Sequence, residues 1–120
     1  MIKLKIGECE YGLRMDMYAM EMIEEEFGGL KEMFEKVQAG GGKTVRSIFR
    51  ILANAHLAYL GKDETVTGDE IKHLRVAAMA GIGNAIRAAV EEGMKSETTD
   101  GEEADDEVFD VYLQEIEAKN

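Results

Sequence analysis

Apolar and polar residues alternate at the start of the chain and then recur at helical spacing. The segment Ile2–Ile6 has the period-2 pattern of a half-buried strand, and Tyr11–Met15 is a candidate returning strand after a turn at 7–10. Two strands alone are marginally stable in water. We therefore expect this β-hairpin to pack on helices or to pair, through its outer edge, with another chain.

Helical spacing predicts the elements that follow. Asp16 is placed as the N-cap of a helix that ends at Gly28-Gly29, and a shorter helix covers 30–38. After the glycines at 40–42, the strongest helix covers 44–60; its wide apolar surface suggests burial on more than one side.

A capping box, Thr67-Gly68-Asp69-Glu70, predicts a further helix that starts at Thr67. Gly81 and Gly83 interrupt its apolar stripe. They indicate either a break near 79–83 or a point at which another helix crosses closely.

The last quarter of the chain has a different composition. Residues 96–104 contain no apolar side chain larger than alanine and indicate an acidic linker over 96–105. The spacing of the apolar residues after Asp105-Asp106 predicts a short amphipathic helix over 106–118. Such a helix is too short to be stable alone, so it must dock on its own body, on a second copy or on a partner.

The sequence thus predicts a mostly helical α+β protein. An N-terminal β-hairpin and four or five packed helices form a globular domain over 1–95, and an acidic C-terminal tail ends in the short amphipathic helix.

Charge is distributed very unevenly between these parts. Residues 1–95 hold 13 Lys and Arg against 15 Asp and Glu, a net charge of −2, whereas 96–120 hold one Lys against ten acids, a net charge of −9. Blocks of like charge are usually solvated or act as interaction tails. A pI near 4.6 argues against nucleic-acid binding, although Lys43, Arg46 and Arg50 share a helix side that an acidic partner or this tail could contact.

The sequence motifs that could indicate catalysis, nucleotide binding or metal binding are incomplete. Gly42-Lys43-Thr44 ends like a phosphate-binding loop, but Val37 stands where the first glycine is needed. Glu70-Ile71-Lys72-His73 is only half of a di-iron motif. Cys9 is the only cysteine and lies between two acids that disfavour its thiolate. We expect no enzyme, no metal and no cofactor.

The candidate binding residues are apolar. Four methionines fall within 15–22, and methionine serves both as core filler and at adaptable binding surfaces. The core interpretation is the better supported of the two. The partner-binding candidates are Met17, Met20, Phe109, Tyr112, Leu113 and Ile116.

The order of these elements resembles that of a known family. A strand runs directly into a helix over 13–30 with a Glu-x-x-Phe-Gly-like end; a glycine break, a long helix over 45–56 and the capped turn over 65–71 follow. Over about 1–95 the chain is similar to the small tail assembly chaperone proteins of siphophages and related prophages, including those of gene-transfer-agent tail clusters. The acidic segment after Ser96 is a departure from that pattern.

This resemblance implies a non-enzymatic chaperone in the cytoplasm of a bacterial host. It would bind the tape measure protein, the tail tube protein or both during tail assembly, and longer forms of such proteins often arise by translational frameshift. Neither a signal peptide nor an apolar run long enough to span a membrane is evident. The sequence leaves open whether the protein forms a homo-oligomer. The alternative is an acidic regulatory protein that mimics nucleic acid.

Overall fold

The computed structural model describes residues 1–95 and 106–112. Within them the chain forms an α+β fold with three strands and four α-helices. In chain order the elements are β1 (Ile2–Ile6), β2 (Cys9–Leu13), α1 (Met17–Phe27), α2 (Leu30–Gln38), α3 (Gly42–Tyr59), α4 (Met79–Gly93) and β3 (Glu107–Asp110). The α+β class and the N-terminal hairpin are confirmed. The bounds of the returning strand were wrong: it is Cys9–Leu13 and not 11–15, because a two-residue turn at 7–8 reverses the chain earlier than predicted.

The hairpin packs on helices of its own chain. Strands β1 and β2 pair antiparallel from Ile2↔Leu13 to Ile6↔Cys9, and Gly7 supplies the positive φ of 62° that the two-residue turn requires. The N–H of Arg14, just after β2, donates to the carbonyl of Leu52 in α3 at 3.1 Å. Helix α3 thus lies beside β2, on the side away from β1.

The hydrophobic core lies between the sheet and the helices. Its largest fully buried side chain is Phe49 of α3, whose ring meets Tyr11 of β2 edge-on with centroids 5.3 Å apart. Helix α3 buries seven residues over 45–55, which confirms the central position expected from its wide apolar surface. Its last residue, Tyr59, was expected in that surface but is exposed.

The predicted start of α1 is confirmed in detail. The Asp16 carboxylate accepts a hydrogen bond from the N–H of Ala19 at 3.0 Å, which satisfies one of the free donors of the first turn. Gly28 ends the helix in the left-handed conformation, with φ 97°, and its N–H donates to the carbonyl of Glu24.

The helix predicted to start at Thr67 is wrong, although its capping contacts form. The N–H of Asp69 donates to Thr67 Oγ1 at 3.1 Å, and Glu70 accepts from the N–H of Thr67 at 3.2 Å. Two 3₁₀ turns, Asp69–Ile71 and Val76–Ala78, follow instead, and α4 begins at Met79.

The break has a physical cause. Between 72 and 77 the side chains are exposed except for the half-buried Leu74, so a continuous helix would gain little apolar burial there. Arg75 adopts an extended backbone (ψ 153°) that interrupts any helix. The break therefore precedes both Gly81 and Gly83, which lie inside α4.

The predicted helix over 106–118 is wrong over its first residues. Glu107–Asp110 form β3, which pairs in parallel with β1 in the register Ile2↔Glu107 to Lys5↔Asp110, so the sheet order is β2-β1-β3. The free edge of β1 provided hydrogen-bonding partners that a local pattern does not reveal. Residues 113–118 and the linker at 96–105 lie outside the described part.

Basic residues expected on one side of α3 contact separate elements. Arg46 Nη2 lies 2.7 Å from Asp69 Oδ1, whereas Arg50 Nη2 lies 2.6 Å from Glu26 Oε1 of α1. Neither arginine is paired with the acidic tail residues that the structure describes. Those residues instead contact β1, as described below.

Asn54 fastens the loop after α3 to the helix. Its side-chain amide donates to the carbonyl of Val66 at 2.8 Å and accepts from the N–H of Val66 at 2.7 Å. Asn54→Ala leaves both Val66 groups unpaired, so we expect the free energy of unfolding to fall by about 1–3 kcal/mol in urea denaturation. Asn84→Ala, on an exposed part of α4, is the matched control. Equal stability of the two variants would contradict this role.

Candidate protein-binding surface

The start of α1 and the end of α3 are held together by a short chain of contacts. Arg14 Nε donates to the Asp16 carboxylate at 2.9 Å, and the guanidinium of the same arginine lies 3.7 Å from the centre of the Tyr59 ring. Because Asp16 also caps α1, Arg14 links the first turn of α1 to the last turn of α3.

Large apolar side chains are exposed at this junction. The exposed fractions are 78% for Met17, 49% for Tyr18 and 61% for Tyr59. We call Met17, Tyr18, Met22 and Tyr59 the α1–α3 surface. Single exposed apolar residues are normal in soluble proteins, but a group of them beside a groove is typical of binding sites.

A groove runs next to this surface, between α1, α3 and the loop at 62–65. Its volume is about 370 Å³. A second, shallower hollow of about 390 Å³ continues over α1, and both are lined by Tyr18 and Met22. Ile51 and Ala58 of α3 contribute apolar surface to the groove, whereas most of its other lining residues are polar or charged.

Charged residues flank the groove. Three acids, Glu21, Glu24 and Glu25, line the shallow hollow on α1. The deeper groove is lined by charges of both signs: Arg50, Lys62, Asp63 and Glu64. Since Arg50 already pairs with Glu26 of α1, the acidic row carries most of the uncompensated charge that this side offers. An apolar partner with basic residues along one flank would fit this arrangement.

The structure brings together only some of the residues predicted to bind a partner. Met17 belongs to the α1–α3 surface, whereas Met20 is half-buried and packs against the core. Phe109 also packs against the core, on the opposite side of the fold within the sheet. Tyr112 is exposed beside the β1–β2 turn at Gly7. Leu113 and Ile116 lie outside the described residues.

Tyr18, Tyr59 and Arg14 were not predicted as site residues. Tyr18 and Met22 could have been found, because with Met17 they form a second stripe on α1, beside the buried stripe of Ala19 and Ile23. The stacking of Arg14 on Tyr59 joins positions 45 residues apart and has no local sequence signal.

A separate cleft of about 320 Å³, apart from the groove and the shallow hollow, lies between β2 and the end of α3. His56 lines it with its ring against Gly12, and within the described part its buried Nδ1 has no hydrogen-bond partner. Burial, reinforced by the nearby charges of Arg14, Lys62 and Lys3, holds the pKa of His56 below its ordinary value. The imidazole is therefore neutral near pH 7.

Across 1–95 and 106–112, the His, Cys, Asp and Glu side chains form no group of three or more suited to a metal ion. Over those ranges no helix combines the length and the apolar character needed to cross a membrane.

Comparison with known proteins adds no relative. No family model, curated protein or solved structure matches this chain. The class of protein is therefore argued from the surface itself.

Proposed function

We propose that this chain is a non-enzymatic protein-binding protein that acts as a phage tail assembly chaperone. It would bind the tape measure protein, the tail tube protein or both in the cytoplasm of a bacterial host. One observation carries the proposal: large apolar side chains stand exposed at the α1–α3 surface, beside a groove to which Tyr18, Met22 and Ile51 contribute apolar surface.

The shape and charge of the site favour a helical client. An amphipathic helix can lay its apolar face into such a groove and place basic residues opposite Glu21, Glu24 and Glu25. Methionine suits this role because its unbranched side chain adapts to different partners. A long helical protein that exposes apolar surface before assembly, as a tape measure protein would, is a client of this kind.

The net charge agrees with a holding role. At −11 the chain carries enough negative charge to keep a complex with an apolar client soluble. The alternative, mimicry of nucleic acid by the acidic segment, gains no support from the fold. Asp106 and Asp110 form ion pairs with Lys3 and Lys5 of the same chain.

Co-expression of the full chain with the tape measure protein of the same tail gene cluster tests the proposal. The parent should keep the client soluble and co-purify with it. Met17→Glu combined with Tyr18→Glu should weaken binding at least about tenfold, because carboxylates would replace the apolar contact. Both side chains are exposed, so the fold should be retained.

Val76→Glu is the matched control. Val76 is 80% exposed and lines neither the groove nor the shallow hollow. This variant should bind like the parent. Equal binding by the double variant, with its fold verified by circular dichroism, would show that the α1–α3 surface is not the client site.

A further inference from the structure

The edge of β1 carries a short acidic segment of the same chain. Strand β3 pairs with this edge in parallel, and the N–H of Glu107 donates to the carbonyl of Met1 at 2.9 Å. Residues 96–105 separate this segment from α4 in the sequence. In the fold the segment pairs with β1 and also packs against α4.

Two lysines of β1 lie opposite two aspartates of the acidic segment. Lys3 and Lys5 alternate with buried residues of β1, so they lie on the outer side of the sheet. Lys3 Nζ lies 3.0 Å from Asp106 Oδ2, and Lys5 Nζ lies 3.9 Å from Asp110 Oδ2. The hydrogen bond from Lys3 to Asp106 raises the pKa of that lysine.

Two apolar side chains of the segment face the core, whereas Val108, in register with Lys3, is exposed. Phe109 is in register with the buried Leu4 and packs against the core, and Val111, in the helical turn after β3, is only 1% exposed. The site therefore recognises three features: an extended backbone over 107–110, apolar side chains at the positions of Phe109 and Val111, and carboxylates opposite Lys3 and Lys5.

The segment buries fewer residues than most other elements. Among 106–112 Val111 is buried and Phe109 packs at the margin of the core, whereas α1, α3, α4 and the β1–β2 hairpin each bury two or more residues. Elements with few buried apolar contacts open at a lower free-energy cost than the rest of a fold.

We propose that the β1 edge is a binding site for an acidic, extended segment of a partner protein, and that β3 occupies this site in the free chain. The partner strand would carry the pattern acidic–x–x–aromatic–acidic–aliphatic, as Asp106–Val111 do. It would pair with β1 in parallel, neutralise Lys3 and Lys5, and fill the positions of Phe109 and Val111. This site is separate from the α1–α3 surface and does not depend on the client proposed above.

The chemistry of the site disfavours other strands. A basic strand would place like charges opposite Lys3 and Lys5. A wholly polar strand would leave the apolar positions of Phe109 and Val111 without an apolar side chain. An incoming strand also competes with a segment tethered to the same chain. Such tethering corresponds to an effective concentration of about millimolar. Release of β3 is thus the step that limits binding.

A labelled peptide with the sequence of residues 105–112 is the probe. In fluorescence anisotropy it should bind the full-length Asp106→Lys, Asp110→Lys variant about tenfold or more tightly than the parent, because that variant's own strand is repelled from the site. Both aspartates lie outside the core, so no core side chain changes; Asp110→Lys also removes the hydrogen bond that the Asp110 carboxylate accepts from the N–H of Tyr112. A second variant, Val111→Asp, should open the site by placing a carboxylate in the buried seat.

Charge reversal on β1 tests whether Lys3 and Lys5 recognise the aspartates of the peptide. In the opened variant, adding Lys3→Glu and Lys5→Glu should weaken binding of the acidic peptide about fivefold or more. A peptide with lysine in place of both aspartates should then bind better than the acidic one. A peptide of the same composition in scrambled order is the control and should bind to none of these proteins.

Two results would overturn the proposal. One is absence of peptide binding by the Asp106→Lys, Asp110→Lys variant when its circular dichroism spectrum matches that of the parent. The other combines two findings: light scattering shows that the parent is a dimer, and the disulfide of a Lys5→Cys, Asp110→Cys variant joins two chains and does not close within one. The occupant would then be a second copy of this protein.

Discussion

Replacing Phe49 with alanine should lower the free energy of unfolding by about 3–5 kcal/mol. Phe49 is fully buried, and its ring meets Tyr11 edge-on, so the substitution removes a core contact between α3 and β2. The neighbouring side chains belong to separate elements and can only partly fill the cavity. Urea denaturation followed by circular dichroism measures the loss.

Phe27→Ala removes the same atoms from a half-buried position near the end of α1 and is the matched control. Because part of the Phe27 ring is already in contact with water, its loss should be clearly smaller. If the two substitutions cost the same, α3 is not the centre of the core as described.

Two glycines of α4 should respond to alanine with opposite signs. A Cβ at Gly83 would meet no atom within 4 Å, so Gly83→Ala should stabilise the protein by up to about 1 kcal/mol through higher helix propensity. A Cβ at Gly93 would collide with the Met15 carbonyl and approach its Cβ to 2.6 Å. Gly93→Ala should therefore destabilise by about 1–3 kcal/mol.

Thermal and urea denaturation of the two variants, measured together with the parent, gives both signs at once. The comparison probes the close approach of the end of α4 to the segment between β2 and α1. Stabilisation by both substitutions would mean that Gly93 does not lie against Met15 in solution.

Elements with complete local signals were predicted well from the sequence. The alternation over Ile2–Ile6, the Asp16 cap and the Gly28 end each concern only a few neighbouring residues. Such signals act through backbone geometry and near contacts, so they hold wherever the element is placed in the fold.

The wrong predictions arose where distant contacts decide the structure. The capping box at Thr67 forms its hydrogen bonds, but residues 72–77 have too little to bury for a helix to continue. The spacing of Phe109 and Tyr112 fits a helix, yet the open edge of β1, about a hundred positions earlier, takes residues 107–110 as a strand.

The candidate site also combines residues that a local sequence pattern predicts with features that depend on distant packing. Exposed Met17 was foreseeable from a methionine-rich helix, and Tyr18 and Met22 belong to the same stripe. The groove itself needs α3 beside α1, and the position of Tyr59 depends on Arg14. Neither can be read from a local pattern, because each depends on how the helices pack.

The salt dependence of client binding tests the central claim most directly. We would measure the affinity of the full chain for the tape measure protein of its own gene cluster between about 50 and about 500 mM salt, where screening of exposed charges differs strongly. Apolar contact at the α1–α3 surface predicts a complex that persists at high salt, with only a modest loss of affinity as the charges of Glu21, Glu24 and Glu25 are screened. Absence of a complex, or a steep loss of affinity with salt, would contradict that claim.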